Sequence, residues 1–226
     1  MRGLLLALVA TGAWAQDDFV VTGGKLSAEA FYDLVSCGAP PGAPCAFDRV
    51  RWSPEDAQDL SVGFAPVQPG YPRRAVRPMS DALDAVIAEI NGAGAALRLR
   101  RAGKREGADV VIHLADVGEG EPIVGTGVAG VDGEIIGAAL VTVWWDDALY
   151  LTDAVIVVAA DLPEEEMQPV LLEEVTQALG LLTDVRNPFY EDLSVFSEDS
   201  NRVTKLGVQD REALRRHYGD ARGVGP

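Results

Sequence analysis

The sequence predicts a mixed α+β domain in which helices pack on a twisted sheet. Short apolar or alternating runs of strand length recur along the chain, and amphipathic segments of helical period lie between them. Their order is a helix and a loop, then β-α-β-β-β-α, and finally a long connection and a last helix. The 226 residues suffice for one such domain with a sizeable core and a small extension.

The first residues have the pattern of a secretory signal peptide. Arg2 supplies a positive charge, residues 4–10 are apolar, and Ala13-Trp14-Ala15 fits a cleavage site. We therefore expect residues 1–15 to be removed and the mature protein, beginning near Gln16, to be periplasmic or secreted. A short N-terminal core helix is the other interpretation of this run.

Residues 16–57 are interpreted as an N-terminal extension. Ser27 is a suitable cap for a helix through Val35. Cys37 and Cys45 flank a segment of turn-forming residues, and in an oxidising compartment two such cysteines are expected to form a disulfide. Two thiols without a nearby histidine cannot complete a tetrahedral metal site.

Residues 58–226 are expected to form the main domain. Strands are predicted at 60–64, 96–100, 109–114, 139–145 and 154–159. A helix opened by Pro78 and ended by Asn91-Gly92 follows the first strand, and the glycine-rich run 117–137 is typical of a long loop with room for a hairpin.

Two further helices follow the last predicted strand. The first is opened by Asp161 and by glutamates that match the helix dipole. Pro169 is expected to kink or restart it, and Gly180 to end it. The second spans about 208–218 and is closed by Gly219.

The charge balance narrows the choice of partners. The formal net charge is -16 and the isoelectric point is about 4.4. Nucleic acids and anionic membrane surfaces attract basic patches, so neither is an expected partner. No segment after the signal is apolar for the length that a transmembrane helix needs, so no membrane insertion is predicted.

A group of polar residues lies opposite the apolar stripe of the helix that ends at Gly180. Glu173 and Gln177 are four residues apart, and Glu174 lies beside them. A solvated face of an ordinary amphipathic helix would look the same. The spacing also resembles the metzincin pattern H-E-x-x-H-x-x-G-x-x-H, with Glu173 and Gln177 at the first two histidines, Glu174 at the glutamate and Gly180 at the glycine.

Two later segments extend this resemblance to metzincin-like, and in particular matrixin-like, peptidases. Ser194-Val195-Phe196-Ser197 falls where metzincins have their Met-turn, with Phe196 at the methionine. Residues 206–219 resemble the closing matrixin helix. The chain is also similar to a family of secreted bacterial domains of unknown function related to zincins. The similar segments cover most of residues 58–219.

The resemblance implies a zincin-like fold whose metal site is degenerate. In that fold one helix backs a mostly parallel sheet, an edge strand borders the cleft, and a second helix carries the metal. The third ligand position falls on Thr183, with Asp184 one residue on. Because Glu173 and Gln177 replace imidazoles, we expect no metal and no cofactor, and Glu174 would lack an activated water to deprotonate. Neither histidine of the chain, His113 or His217, is an expected ligand.

Three functions remain open from the sequence. The first is a pseudo-peptidase that binds a peptide or protein, with basic side chains directed to Glu173, Gln177 and Asp184 and with the strand at 139–143 pairing the peptide. The second is an active hydrolase, with Glu174 as general base and an unusual metal or none. The third is an unrelated secreted binding domain. In the first two, Phe196 is expected to pack beneath the cleft.

Overall fold

The computed structural model describes residues 19–103 and 107–221, so the predicted signal peptide lies outside the described residues. The α-helices of these residues are α1 (Ala28–Cys37), α2 (Arg73–Asn91), α3 (Met167–Gln177) and α4 (Val208–Tyr218). The strands are β1 (Phe19–Val21), β2 (Leu60–Phe64), β3 (Leu99–Arg101), β4 (Val110–Leu114), β5 (Ala139–Trp145), β6 (Leu151–Val158) and β7 (Asp184–Arg186).

The main sheet is mixed, and helices back it, as the sequence predicts. Its strand order is β3-β2-β4-β6-β5. All neighbours are parallel except β5, which runs antiparallel to β6. Strand β5 therefore lies at an edge of the sheet.

A separate cluster of buried apolar residues packs against each face of the sheet. Alternate residues of β6 (Ala154, Ile156 and Val158) belong to the main core together with buried residues of α2 and α3. Their neighbours Val155 and Val157 face a second cluster. The glycine-rich loop supplies much of that cluster, and within it Pro122 pairs with Ile135 in an antiparallel bridge. The predicted loop thus holds a small hairpin and closes the second face.

Helix α1 is part of the main core. Its residues Phe31, Leu34 and Val35 are fully buried, and the helix contacts α4 and β7. Ser27 caps it as predicted, since its hydroxyl accepts from the N–H of Ala30. The predicted disulfide between Cys37 and Cys45 is present and closes the loop that follows.

The helix boundaries differ from the prediction at two prolines. Helix α2 begins at Arg73 and runs through Pro78, because burial of Ala75 and Met79 outweighs the one hydrogen bond that an internal proline removes. A 3-10 turn (Glu164–Glu166) precedes α3. Pro169 lies in the first turn of α3, where its missing N–H has no intrahelical partner, so it neither kinks nor restarts the helix.

A second, two-stranded sheet was not predicted. Strands β1 and β7 pair in parallel, with Phe19 opposite Asp184 and Val21 opposite Arg186. This pairing brings the N-terminal described residues beside the segment that follows α3. Among the described residues, none of the helices has the length and apolarity required to cross a membrane.

Candidate functional site

Helix α3 carries its polar residues on a largely buried face. Leu171, Leu172 and Val175 are fully buried. Glu174 and Gln177 are only 8% and 7% exposed, and Glu173 is partly buried. The interpretation of these residues as a solvated helix face is therefore wrong for Glu174 and Gln177.

The chain after α3 returns to this face and places Asp184 on it. The Nε2 group of Gln177 donates to both carboxylate oxygens of Asp184, at 3.0 and 3.1 Å. Asp184 opens β7, and its pairing with β1 fixes its position. The structure thus brings together Gln177 and Asp184, which the sequence placed only seven residues apart.

Four carboxylates, of Glu173, Glu174, Asp184 and Glu198, interact on this face and are called the acidic cluster below. Burial, followed by the negative charges of Asp184, Glu174 and Glu198, holds the pKa of Glu173 well above its usual range. Glu173 therefore binds a proton more readily than an ordinary glutamate. The resulting site is acidic, and its other carboxylates favour the protonated form of Glu173.

Arg186 closes one side of the acidic cluster. Its Nη2 lies 3.0 Å from a carboxylate oxygen of Glu198, and its Nε lies 3.1 Å from Asp199. The guanidinium also stacks over the ring of Phe19, 3.7 Å from the centroid. Neither Glu198 nor Arg186 was predicted as a site residue. Arg186 lies in β7, which pairs with β1, and Glu198 is placed by a backbone hydrogen bond to Val185 of β7.

Phe196 is fully buried in the segment that runs beside β7. The N–H of Val185, next to Asp184, donates to the carbonyl of Phe196 at 2.7 Å. The ring packs edge-on against Phe31 of α1, with centroids 6.1 Å apart. Phe196 therefore lies in the segment that runs next to Asp184, and its ring packs between this segment and α1.

A buried carboxylate holds the turn before Phe196. Asp210 of α4 accepts from the hydroxyl of Ser194 at 2.6 Å and from the N–H groups of Val195 and Gly207. Burial raises the pKa of Asp210, and these hydrogen bonds oppose the rise. The contact between Ser194 and Asp210 was not predicted, because no local pattern links the two residues.

The C-terminal end of α3 is anchored by side chains from two other segments. Trp52 donates from Nε1 to the carbonyl of Ala178, and Tyr218 donates to that of Leu179. Gly180 follows with φ +93°, and an added Cβ there would overlap the carbonyl oxygen of Val50. These contacts fix where the chain leaves α3.

The two histidines lie apart from the acidic cluster's hydrogen bonds. His217 of α4 is buried, and its Nε2 is 2.9 Å from the carbonyl of Val50 while Nδ1 is 3.3 Å from the hydroxyl of Tyr32. Burial lowers the pKa of His217 to about 4. His113 is partly buried on β4, on the sheet face of Val111 that the second apolar cluster covers, and burial lowers its pKa as well.

Thr183 occupies the third metal-ligand position of the resemblance. Its N–H donates to the carbonyl of Val35 in α1, and the residue is 5% exposed. Across residues 19–103 and 107–221, no group of three or more His, Cys, Asp or Glu side chains has the arrangement to hold a metal ion. The absence of a bound metal in solution stays a prediction.

Strand β5 presents a free side next to α3. The N–H of Ala159 donates to Ala138, and Ala139 lies opposite Val158. Because backbone groups alternate along a strand, the N–H and C=O of Val141 point away from β6. No other strand of the described residues pairs with this side, and α3 packs against β5.

No protein-family model matches this chain, and no curated protein is significantly similar to it.

Proposed function

We propose that the chain is an exported zincin-like domain with a degenerate metal site, and that it binds an extended peptide without cleaving it. The mostly parallel sheet, its antiparallel edge strand β5, the helix α2 behind it and the polar face of α3 support the proposal. The link between Ser194 and Asp210 adds support, because it joins the two later segments of the resemblance.

The observation that carries the proposal is the free edge of β5 beside α3. An extended peptide that adds to a sheet edge gains backbone hydrogen bonds, and side-chain contacts supply specificity. Trp145 at the end of β5 is 46% exposed and offers an aromatic contact, whereas Trp144 packs against the second apolar cluster. A peptide on this edge lies next to the helix that carries Glu173.

The chemistry of the acidic cluster favours a basic partner. Carboxylates that lose water on binding need a compensating positive charge. A lysine or arginine side chain from the peptide supplies that charge without a metal ion. Gln177 and Asp184 are buried and hydrogen-bonded to each other, so the partly buried Glu173 is the carboxylate of α3 that a basic side chain would reach.

Export is part of the same proposal. The disulfide between Cys37 and Cys45 is consistent with an oxidising compartment. Mass spectrometry of protein isolated from the producing cell's exported fraction is expected to give an N-terminus near Gln16. Retention of Met1 or of the apolar run in that fraction would contradict the proposed signal peptide.

Binding along β5 is tested with a proline on its free side. Val141→Pro removes the outward N–H and blocks the edge, while the hydrogen bonds to β6 remain. Val141→Ala is the matched control, because it keeps the N–H. A short peptide of alternating valine and lysine is expected to bind the wild type and Val141→Ala and to lose binding to Val141→Pro. Equal binding to all three proteins would overturn strand addition.

A further inference from the structure

The free side of β5 lacks most of the features that keep an exposed strand edge from pairing. Charged side chains, prolines, bulges and short length protect such edges in soluble proteins. The seven residues of β5 include neither a charge nor a proline, in a chain whose net charge is -16. The strand has a register shift only at its end, between Trp144 and Trp145. Residues 139–144, called the β5 edge below, therefore form an unprotected edge.

The side chains of the β5 edge are apolar on both faces of the sheet and only half-buried. Val141 and Val143 pack against the main core, whereas Leu140 and Trp144 pack against the second apolar cluster. Each of these side chains retains surface that a neighbouring strand would remove from water. The edge therefore offers apolar contacts on both faces in addition to its backbone groups.

The backbone groups of the β5 edge are self-complementary. The N–H and C=O groups of Ala139, Val141 and Val143 point away from β6, because the ladder to β6 uses the alternate residues. Two antiparallel copies of β5 can place Val141 opposite Val141 and Ala139 opposite Val143. Every outward N–H and C=O of these three residues then has a partner in the other copy.

We propose that two copies of this chain associate through the β5 edge, with their β5 strands antiparallel about a two-fold axis at Val141. A second copy fits because the hydrogen-bonding pattern matches itself and because the edge brings no like charges together. The pair is closed, since the same patch is used on both copies. The association goes beyond the proposed function, whereas its consequence, that the dimer hides the edge from a peptide, rests on that function.

Sedimentation equilibrium of the purified exported protein tests the association. The wild type is expected to pass from monomer to dimer mass as its concentration rises. Added salt is expected to strengthen the dimer, because screening reduces the repulsion between two chains of charge -16. A wild type that stays monomeric, or a dimer that salt dissociates, would overturn the proposal, since the latter would be held by ion pairs.

A proline at the two-fold axis tests the position of the contact. Val141→Pro removes an N–H from each copy and is expected to weaken the dimer about tenfold. Val141→Ala is the matched control, because it keeps the N–H and is expected to weaken the dimer much less. Equal dimerisation of the two variants would place the contact elsewhere and overturn the proposal.

A pair of opposite charges at Thr142 provides a test that does not depend on proline. Two copies of Thr142 are diagonal neighbours across the axis, about 8 Å apart and within reach of long side chains. Thr142→Lys and Thr142→Glu are each expected to dimerise less than the wild type, because like charges meet, and an equimolar mixture is expected to restore the dimer. Circular dichroism checks that both variants are folded. A mixture that associates no better than the separate folded variants would contradict the proposal.

The valine–lysine peptide separates this inference from the proposed function. If the dimer hides the edge, dilution of the wild type should raise its apparent affinity for the peptide, whereas the affinity of Thr142→Glu should not depend on protein concentration. A wild type that binds the peptide but is monomeric at every concentration would overturn the dimer and leave the proposed function. A dimer whose diluted monomer binds no peptide would support the association and overturn the proposed function.

Discussion

The C-terminal end of α3 and the polar face of the same helix are built in opposite ways. At the end, Trp52 and Tyr218 donate to the carbonyls of Ala178 and Leu179, and the buried His217 bonds the neighbouring carbonyl of Val50. On the face, the acidic cluster gathers like charges and raises the pKa of Glu173. Arrangements of the first kind stabilise a fold, whereas strongly shifted carboxylates are typical of functional sites. Hydrogen bonds thus hold the end of α3 in place, while its polar face carries like charges that repel one another.

The largest effect on stability is expected from a substitution that disrupts the anchored C-terminal end of α3. Gly180→Ala places a Cβ against the carbonyl oxygen of Val50 at a positive φ, and it should lower the free energy of unfolding by about 3–5 kcal/mol. Gly133→Ala is the matched control: its φ is +103° and nothing lies within 4 Å of the added Cβ, so only the backbone strain of about 1–2 kcal/mol is expected. Urea unfolding measures both. Similar losses in the two variants would show that the close approach at Gly180 contributes nothing.

The second expected effect is acid sensitivity of the same anchored end. Because the pKa of His217 is about 4 in the folded protein and near 6.5 when unfolded, the unfolded chain binds the proton more tightly. The neutral, buried imidazole of His217 makes its full contribution to the free energy of unfolding above about pH 6.5. This contribution is lost as the pH falls towards 4, and the total loss is about 3 kcal/mol. Unfolding free energies of wild type and His217→Gln across this range provide the check. Parallel pH profiles of the two proteins would contradict the assignment.

The pH dependence of stability that comes from the acidic cluster should be opposite in sign to that from His217. The pKa of Glu173 is raised in the folded state, so its favourable contribution is present below its usual pKa and is lost as pH rises through the folded value. Glu173→Gln removes the charge, and it should raise the free energy of unfolding at neutral pH. Glu165→Gln, at an exposed position, serves as control. Thermal unfolding that shows a lower melting temperature for Glu173→Gln than for wild type would contradict the account.

The sequence predicted those parts of the fold that local pattern determines. The strand at 139–145 matches β5 residue for residue, since a continuous run of apolar and β-branched residues specifies it. Strands β1 and β7 have three residues each and pair across most of the chain, so no local pattern marks them. These two strands form only because the segment after α3 folds back beside the N-terminal described residues.

The sequence predicted which residues of α3 lie together at the candidate site, but it did not predict how deeply they are buried. The helical period correctly placed Glu173, Glu174 and Gln177 near one another. It carried no information on what covers them, which is why the burial of Glu174 and Gln177 was missed. Glu198 and Arg186 join the cluster only through tertiary pairing, so the electrostatic character of the site follows from the fold.

We propose that the polar face of α3 binds a peptide and does not catalyse its cleavage. Elemental analysis of protein purified without chelators, combined with a peptide-hydrolysis assay, tests it most directly. We expect no stoichiometric zinc and no cleavage, because Glu173 and Gln177 replace the imidazole donors that zinc prefers and Thr183 offers no strong donor. Stoichiometric zinc, together with hydrolysis that is lost in Glu174→Gln, would contradict the account and establish a catalytic site.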